Sequence, residues 1–553
     1  MKNIRWQLII ILVTGLVIGI LLLSEQTGFS IARPTATRGG TYTEALIGNL
    51  QRLNPVLDYY NSADRDTDRL LFSRLITYDE NGLPQPELAV KWGISFDGLS
   101  YNFDINPDAA WHDGTPVTSA DIVFTVDIMR SAESVLPTDL KEFWNNIEVI
   151  PLGDHSIQFR LSEAFAPFMD YLSFGILPKH LLGELSYQEI VNSSFNLEPV
   201  GSGPYQFERL ITENGAIKGV VLSANPSYYG GEPLISQFVF MYYDDAASAY
   251  SAYSEGVVQG ISEVSDEILS DVLSDPNLAV YSAVKPEVSM VLLNLNNNKV
   301  KFLQEENVRK ALLHAIDRRR MVDLALQGQG VLSDIPLIPS NWAYYEGIQT
   351  FDYDPQKAGI LLDEIGYILP NGDGSIREND GSALSFELTH PDDATHTAIA
   401  QAIQKDWQKI GVEVELVAVP YDVLILDYLE PLTYQAVLID LNFERSPDPD
   451  PYPFWDQAQQ SGGQNYSQWE NKVISEYLEE ARVTTDLDER AKLYRNFQVV
   501  FQDELPALPL YYPVYNFAID EGINGVRVGS FYDTADRFFS VTDWYLIASA
   551  AED

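Results

Sequence analysis

Trp111-His112-Asp113-Gly114-Thr115-Pro116-Val117-Thr118-Ser119-Ala120-Asp121-Ile122-Val123-Phe124 follows a segment, Leu99 to Ile105, whose residues alternate as in a strand. Asp113-Gly114 supplies a pair that tolerates positive φ, and Pro116 stiffens the exit from the turn. Thr118 or Ser119 then stands where a helix cap belongs, with Asp121 placed where a carboxylate favours a helix N-terminus. The expected local structure is strand, turn and capped helix. Many folds contain such a unit, so the surrounding sequence must say which one this is.

Five further strings occur in a fixed order around it. Pro199-Val200-Gly201-Ser202-Gly203-Pro204-Tyr205 is a glycine-rich approach to a strand. Val308-Arg309-Lys310-Ala311-Leu312-Leu313-His314-Ala315-Ile316-Asp317 is helical in pattern. Tyr353-Asp354-Pro355-Gln356-Lys357-Ala358 follows, with Leu361-Leu362 and Gly366-Tyr367 behind it. Ser446-Pro447-Asp448-Pro449-Asp450-Pro451 and Gly463-Gln464-Asn465-Tyr466 read as loops. Taken together, the six strings resemble, in family order across residues 40 to 545, the family 5 extracytoplasmic solute-binding proteins. These are the receptors for peptides, oligosaccharides and nickel that feed ABC importers.

The resemblance implies an α/β, two-lobed periplasmic-binding-protein-like fold of class II, with an extra subdomain in the first lobe. An N-terminal transmembrane or signal segment precedes it. The implied division is 1–34 as signal peptide or membrane anchor and 38–290 as lobe I, with 86–200 inserted. Lobe II is 291–507, and 508–548 returns to lobe I. The implied function is to bind di- or oligopeptides in the cleft and deliver them to a membrane permease. An oligosaccharide receptor is the alternative within the family, and a secreted hydrolase a remote one. The resemblance also implies a monomer that needs no cofactor or metal and meets ABC permease subunits at the cytoplasmic membrane.

Composition agrees with export. The chain has 553 residues, enough for two or three domains, and 46% apolar content, ample for packed cores. A net charge of −45 excludes nucleic-acid binding, because phosphate repulsion would dominate. With no cysteine, there are no disulfides, thiolate metal sites, cysteine nucleophiles or lipid-bearing cysteine. Lys2 and Arg5 precede an apolar run from Leu8 to Leu23. That pattern fits either an uncleaved anchor or a signal peptide cut near Ser30-Ile31-Ala32.

Along the chain, Thr41 to Ile47, Val220 to Ser223 and Phe238 to Tyr242 read as strands, and Arg65 to Leu75 as a helix. Ala166 to Leu182 reads as a helix interrupted by Pro178. Beyond Met290 to Leu295 the expected helices are Asn307 to Gln327, Pro355 to Ile365, Thr395 to Ile410 and Gln468 to Val483. Strands at 385–389, 412–418 and 435–441 alternate with them, as in an α/β lobe. Leu508 to Tyr512 and Phe517 to Asp520 read as two separate strands.

No metalloprotease helix, nucleophile elbow or phosphate loop is present, so the chain reads as a non-enzyme. The six histidines read as exposed loop residues. Asn371-Gly372-Asp373-Gly374-Ser375 reads as a hairpin turn, since the twelfth calcium-loop position is Ser382. By resemblance, the cleft is expected to contain Tyr59, Tyr60 and Asn61 at one wall and Tyr511 and Tyr512 at the crossover. The loop Asn442, Phe443, Glu444, Arg445 and Asp448 is expected to face the ligand. Peptide-binding relatives keep an aspartate in this loop for the peptide's α-ammonium. Matched from the strand side, Glu444 takes its place; counted back from Asp448-Pro449, Arg445 does.

Overall fold

The computed structural model describes residues 38–370 and 375–547. The expected N-terminal segment 1–34 and the Asn371–Gly374 turn lie outside the described residues. No described helix is long and apolar enough to cross a membrane.

One mixed sheet of twelve strands runs through the molecule. In its first half Thr41–Ile47 pairs in parallel with Gln237–Tyr243 and Gly260–Ile261, and antiparallel strands Ala216–Ala224 and Tyr205–Glu213 extend the edge. In its second half Ser385–Pro391 lies parallel to Glu413–Val419 and Ala436–Asn442, with Glu287–Leu293 antiparallel to the last. The 14-residue strand Ala507–Asp520 joins the halves. Its start pairs with Glu287–Leu293 and its end with Leu278–Val284.

Strand partners therefore change at Lys285-Pro286 and again at Pro513, where the Lys285 N–H donates to the Pro513 carbonyl (2.8 Å). These positions lie within about six residues of the boundaries that the sequence resemblance implies, 290/291 and 507/508. Apolar alternation continues through both crossings, so only the change of strand partner reveals them. Leu508–Tyr512 and Phe517–Asp520 are correspondingly one strand, in spite of Pro509 and Pro513. A proline lacks only its donor, and Pro513 still accepts through its carbonyl.

The packing follows this division. One core gathers Tyr42, Phe238, Phe240, Phe538 and Trp544 from both ends of the described chain. Two further cores cover opposite faces of the second half-sheet. One surrounds Leu388, Ile403 and Trp407; the other surrounds Met290, Trp455 and Phe501.

A separate four-stranded antiparallel sheet (Ala89–Ile94, Ser100–Ile105, Ser156–Leu161, Ile147–Gly153) carries the Asp113-Gly114 turn and the helix after it. The helix is Ser119–Met129, and the Thr118 N–H donates to Asp121 Oδ2 (2.8 Å) in a capping box. Gly114 has φ +87°, as the turn requires. His112 is not an exposed loop residue. Its Nδ1 accepts from the Gly201 N–H (3.1 Å), which ties this turn to the Gly201-Ser202-Gly203 segment. A Cβ on Gly201 would stand 1.9 Å from the Leu71 carbonyl oxygen, so that close approach needs glycine. His314 and His390 are also buried, each with a backbone carbonyl at its ring.

Three helix expectations change. Asn307–Gln327 divides into Glu306–Ala315 and Arg318–Ala325, because Asp317 caps the second helix by accepting from the Arg320 N–H. Ala166–Leu182 contains only a 3₁₀ segment, Ala166–Leu172, and one turn at Lys179–Leu182. The 18-residue helix Leu487–Glu504 was not anticipated. Its many polar residues mask the apolar stripe of Tyr494, Phe497 and Phe501, which is buried.

Candidate binding cleft

A cavity of about 390 Å³ lies where the Glu444–Pro447 loop of the second lobe meets the first lobe. One wall is the turn Pro55–Tyr59 and the helix Ser62–Leu71. Asn54 shapes that turn: its side chain donates to Asn196 Oδ1 (2.9 Å) and accepts from the Val56 N–H (3.2 Å). Asn61 then caps the helix by accepting from the Ala63 N–H (3.1 Å). The result presents Asp58, Tyr59, Arg65, Asp68 and Arg69 to the cavity. Phe72, Met129, Leu136, Leu140, Trp144 and Phe174 form an apolar floor.

The second lobe enters through one tight loop. The Glu444 N–H donates to Asn442 Oδ1 (2.7 Å), and Arg445 adopts φ +60°. The Arg445 N–H donates to the Tyr532 carbonyl (2.8 Å), while its guanidinium lies over the Tyr59 ring at 3.9 Å. The Asp448 N–H donates to Asp170 Oδ2 (2.6 Å). These contacts hold the loop after Ala436–Asn442 against Tyr59, Asp170 and Tyr532 around the cavity.

The electrostatics of the wall are unusual. Arg65 pairs with Asp533 at 2.9 Å. Arg69 reaches Glu87 only at 3.4 Å, and Arg74 reaches Asp536 only at 3.8 Å. Burial, and then the neighbouring Arg69, push the Arg74 guanidinium below its usual pKa. Burial drives Asp58 up to about 8, and Asp533 adds to the rise against the pull of Arg65. Burial, then Asp58 and Asp64, hold Asp68 well above the carboxylate range. Neither oxygen of Asp68 has a hydrogen-bond partner, and neither do Trp144 Nε1 and the Tyr532 hydroxyl, all buried in residues that line the cavity. Buried polar atoms are normally satisfied, so four in residues that line one cavity set it apart.

Of the residues expected at the ligand, Tyr59, Glu444 and Arg445 line the cavity together, so both loop registers point into it. The others do not. Tyr60 is 75% exposed and packs edge-on against the Tyr59 ring. Asn61 is occupied as the helix cap, and Asn442 by the Glu444 N–H. The Phe443 N–H donates to the Pro286 carbonyl, and its ring packs against Phe454. Asp448 holds Arg490 through both oxygens (2.6 and 2.8 Å). Tyr511 and Tyr512 are 2% and 1% exposed, with the Tyr512 hydroxyl donating to the Leu337 carbonyl (2.6 Å). Their strand is central in the sheet and covered on both faces, so neither ring reaches a cleft.

Asp58, Asp68, Arg69, Arg74, Asp170 and Tyr532 were missed. One signal could have found the helix residues. Ser62–Leu71 reads Ser-Ala-Asp-Arg-Asp-Thr-Asp-Arg-Leu-Leu, and aspartates at 64, 66 and 68 lie on opposite sides of a helix, so they cannot all face water.

Residues 84–464 match the family described as bacterial extracellular solute-binding proteins, family 5 (middle region). The oligopeptide-binding protein AppA of Bacillus subtilis (strain 168) is 26% identical over 532 residues, covering 94% of this chain and 95% of that protein. The dipeptide-binding protein of Escherichia coli (strain K12) is 27% identical over 488 residues, covering 79% and 85%. The structure of AppA with a nonapeptide superposes with a TM-score of 0.65, covering 93% of this chain and all of that one. HbpA2 from Haemophilus parasuis, at 23% identity, reaches 0.78 over 92% of this chain and all of that one.

Proposed function

The chain belongs to the bacterial extracellular solute-binding proteins of family 5, and we propose that it is a peptide receptor that closes on a short peptide and hands it to an ABC permease. The observation that carries this reading is the cluster of unpartnered buried polar atoms around a 390 Å³ cavity between two lobes. A cavity of that size suits a small ligand, and fixed polar groups over an apolar floor suit one with charged ends and a side chain. The crossings at Lys285-Pro286 and Pro513 supply a two-strand hinge about which the lobes can open.

In this reading Tyr59, Glu444 and Arg445 face the ligand. Glu444 takes the α-ammonium, and Arg445 clamps the cleft through Tyr59. Arg69 and Arg74, loosely paired, are available for a carboxylate. The Arg445 guanidinium covers the Tyr59 ring, which removes that face from stacking on a sugar and favours peptide over oligosaccharide. Residues 1–34 export the receptor as a signal or keep it at the outer face of the membrane as an anchor.

Native mass spectrometry of the protein purified from its own cells tests the reading. Co-purifying masses should be those of short peptides. A glycan, a haem or a metal ion in their place would overturn it. The N-terminal sequence of the mature protein separates anchor from cleaved signal.

A further inference from the structure

Asp68 is 3% exposed, lines the cavity, and has no partner for either oxygen. Asp58 lines the same wall and, among the described residues, closes no ion pair. When ionised, both groups are acceptors only, so neither can satisfy the other; with one proton between them, one donates to the other. A buried carboxylate without a counter-charge is otherwise very costly.

Arg65 and Arg445 stand near Asp58, but among the described residues no cation closes a salt bridge with either carboxylate, and each of those two is engaged elsewhere. On the same helix Asp64 accepts the Gln51 and Arg52 N–H groups, and Arg65 is held by Asp533. From the preceding turn the Asn54 backbone N–H faces Asp68, and the Tyr242 hydroxyl approaches from the sheet. From the second lobe Arg445 faces Asp58 but lies over Tyr59. Among the described residues no three potential ligands cluster to hold a metal ion. Pro55, Val56 and Phe72 beside the pair suit an alkyl chain.

We propose that the Asp58–Asp68 pair is a second cation subsite of the cleft, which takes a primary ammonium or guanidinium group of the ligand. It rests on the reading of this cavity as the receptor's binding site and deepens it. Binding is an exchange: the cation enters between the two carboxylates, and the shared proton leaves to solvent. With Asp58 held up to about 8, ligand capture tightens as pH rises towards that value and then levels off. The cation can come from a peptide's α-amino group or from a basic side chain.

Butylammonium chloride is the first probe, because its charge, like that of lysine, persists to about pH 10. In thermal-shift titrations against matched potassium chloride, the wild-type protein should bind it saturably. Binding should tighten roughly fiftyfold from about pH 6 to about pH 8. Asp68→Asn and Asp58→Asn should each lose the binding and its pH dependence. Wild type and both variants responding alike would overturn the proposal, whatever peptides do. The second arm compares Ala-Ala-Ala, N-acetyl-Ala-Lys-Ala and N-acetyl-Ala-Ala-Ala by calorimetry. A roughly tenfold or greater loss in Asp68→Asn for the first alone assigns the α-ammonium, and for the second alone the side chain. Equal affinity of wild type and variant for every cationic peptide that binds would overturn the proposal. Butylammonium binding that depends on the pair, with no tripeptide bound, would uphold the subsite and remove the peptide reading instead.

Discussion

Asp66 and Asp68 stand two residues apart on the helix Ser62–Leu71, and each is 3% exposed. Asp66 accepts from Arg537 Nη1 (2.8 Å) and Thr534 Oγ1 (2.8 Å). Arg537 is fully buried, also donates to Glu44 (2.7 and 3.0 Å), and lies over Phe538. Asp68, on the side of the helix that meets the cavity, closes no ion pair and neither of its oxygens accepts a hydrogen bond from a cation. A two-residue step turns a helix by about 200°, so neighbouring identical side chains enter opposite environments. One carboxylate, through Arg537, ties the C-terminal segment to the helix Ser62–Leu71 and the strand Thr41–Ile47. The other is left open in the cleft. What separates the two carboxylates is whether the fold itself supplies the partner, not burial or residue type.

That contrast can be broken by experiment. Arg537→Met should have the largest effect, because it strands two buried carboxylates, Glu44 and Asp66. A loss of about 3–5 kcal/mol in urea unfolding of the first lobe is expected. A change under about 1 kcal/mol would mean that the triad is not a lock.

Glu444→Gln should leave stability alone and weaken peptide binding by about 1.5–3 kcal/mol, roughly tenfold to a hundredfold. N-acetylating the peptide should cost the wild type a similar amount and the variant little more, since both changes remove one interaction. Calorimetry on the four combinations reads this directly. Two additive losses would place the α-ammonium elsewhere.

Asp68→Asn should do the reverse of Arg537→Met and stabilise the ligand-free protein. The native carboxyl is raised, so between about pH 4 and its native value the folded state holds a proton that the unfolded chain has released. Stability from this group therefore falls as pH rises through that window. The variant should lack the decline and gain about 1.4 kcal/mol for every pKa unit removed. Melting curves from pH 5 to pH 8 decide it, and a stability gap that does not widen with pH would contradict the assignment of Asp68 as an unpaired group.

Asn61→Ala should have the smallest effect. As a helix cap its loss costs about 1 kcal/mol of stability, with affinity changing only as far as the helix frays. A large loss of affinity at unchanged melting temperature would return Asn61 to the ligand, where the sequence reading had put it.

Local patterns were the legible part of this protein. The Asp113-Gly114 turn, the Thr118–Asp121 capping box, and the helices that start near Pro355 and Thr395 all follow from neighbouring residues. In order along the chain, six such strings also pointed to the family, and residues 84–464 match it. The loop at Glu444–Arg445 was legible because it follows a recognisable strand and precedes Asp448-Pro449. Partner identity was not legible. Asp448 looks as available as Glu444 until Arg490, 42 positions later, takes both its oxygens. Tyr511 and Tyr512 look like cleft aromatics until their strand proves to be central in a sheet covered on both faces. Asp66 and Asp68 are two aspartates in one hydrophilic run until Arg537, from the far end of the chain, chooses between them. Propensity, capping and turn chemistry act over a few residues and are written locally. Whether a charge is paired depends on groups hundreds of positions away, and only the tertiary fold brings those to it.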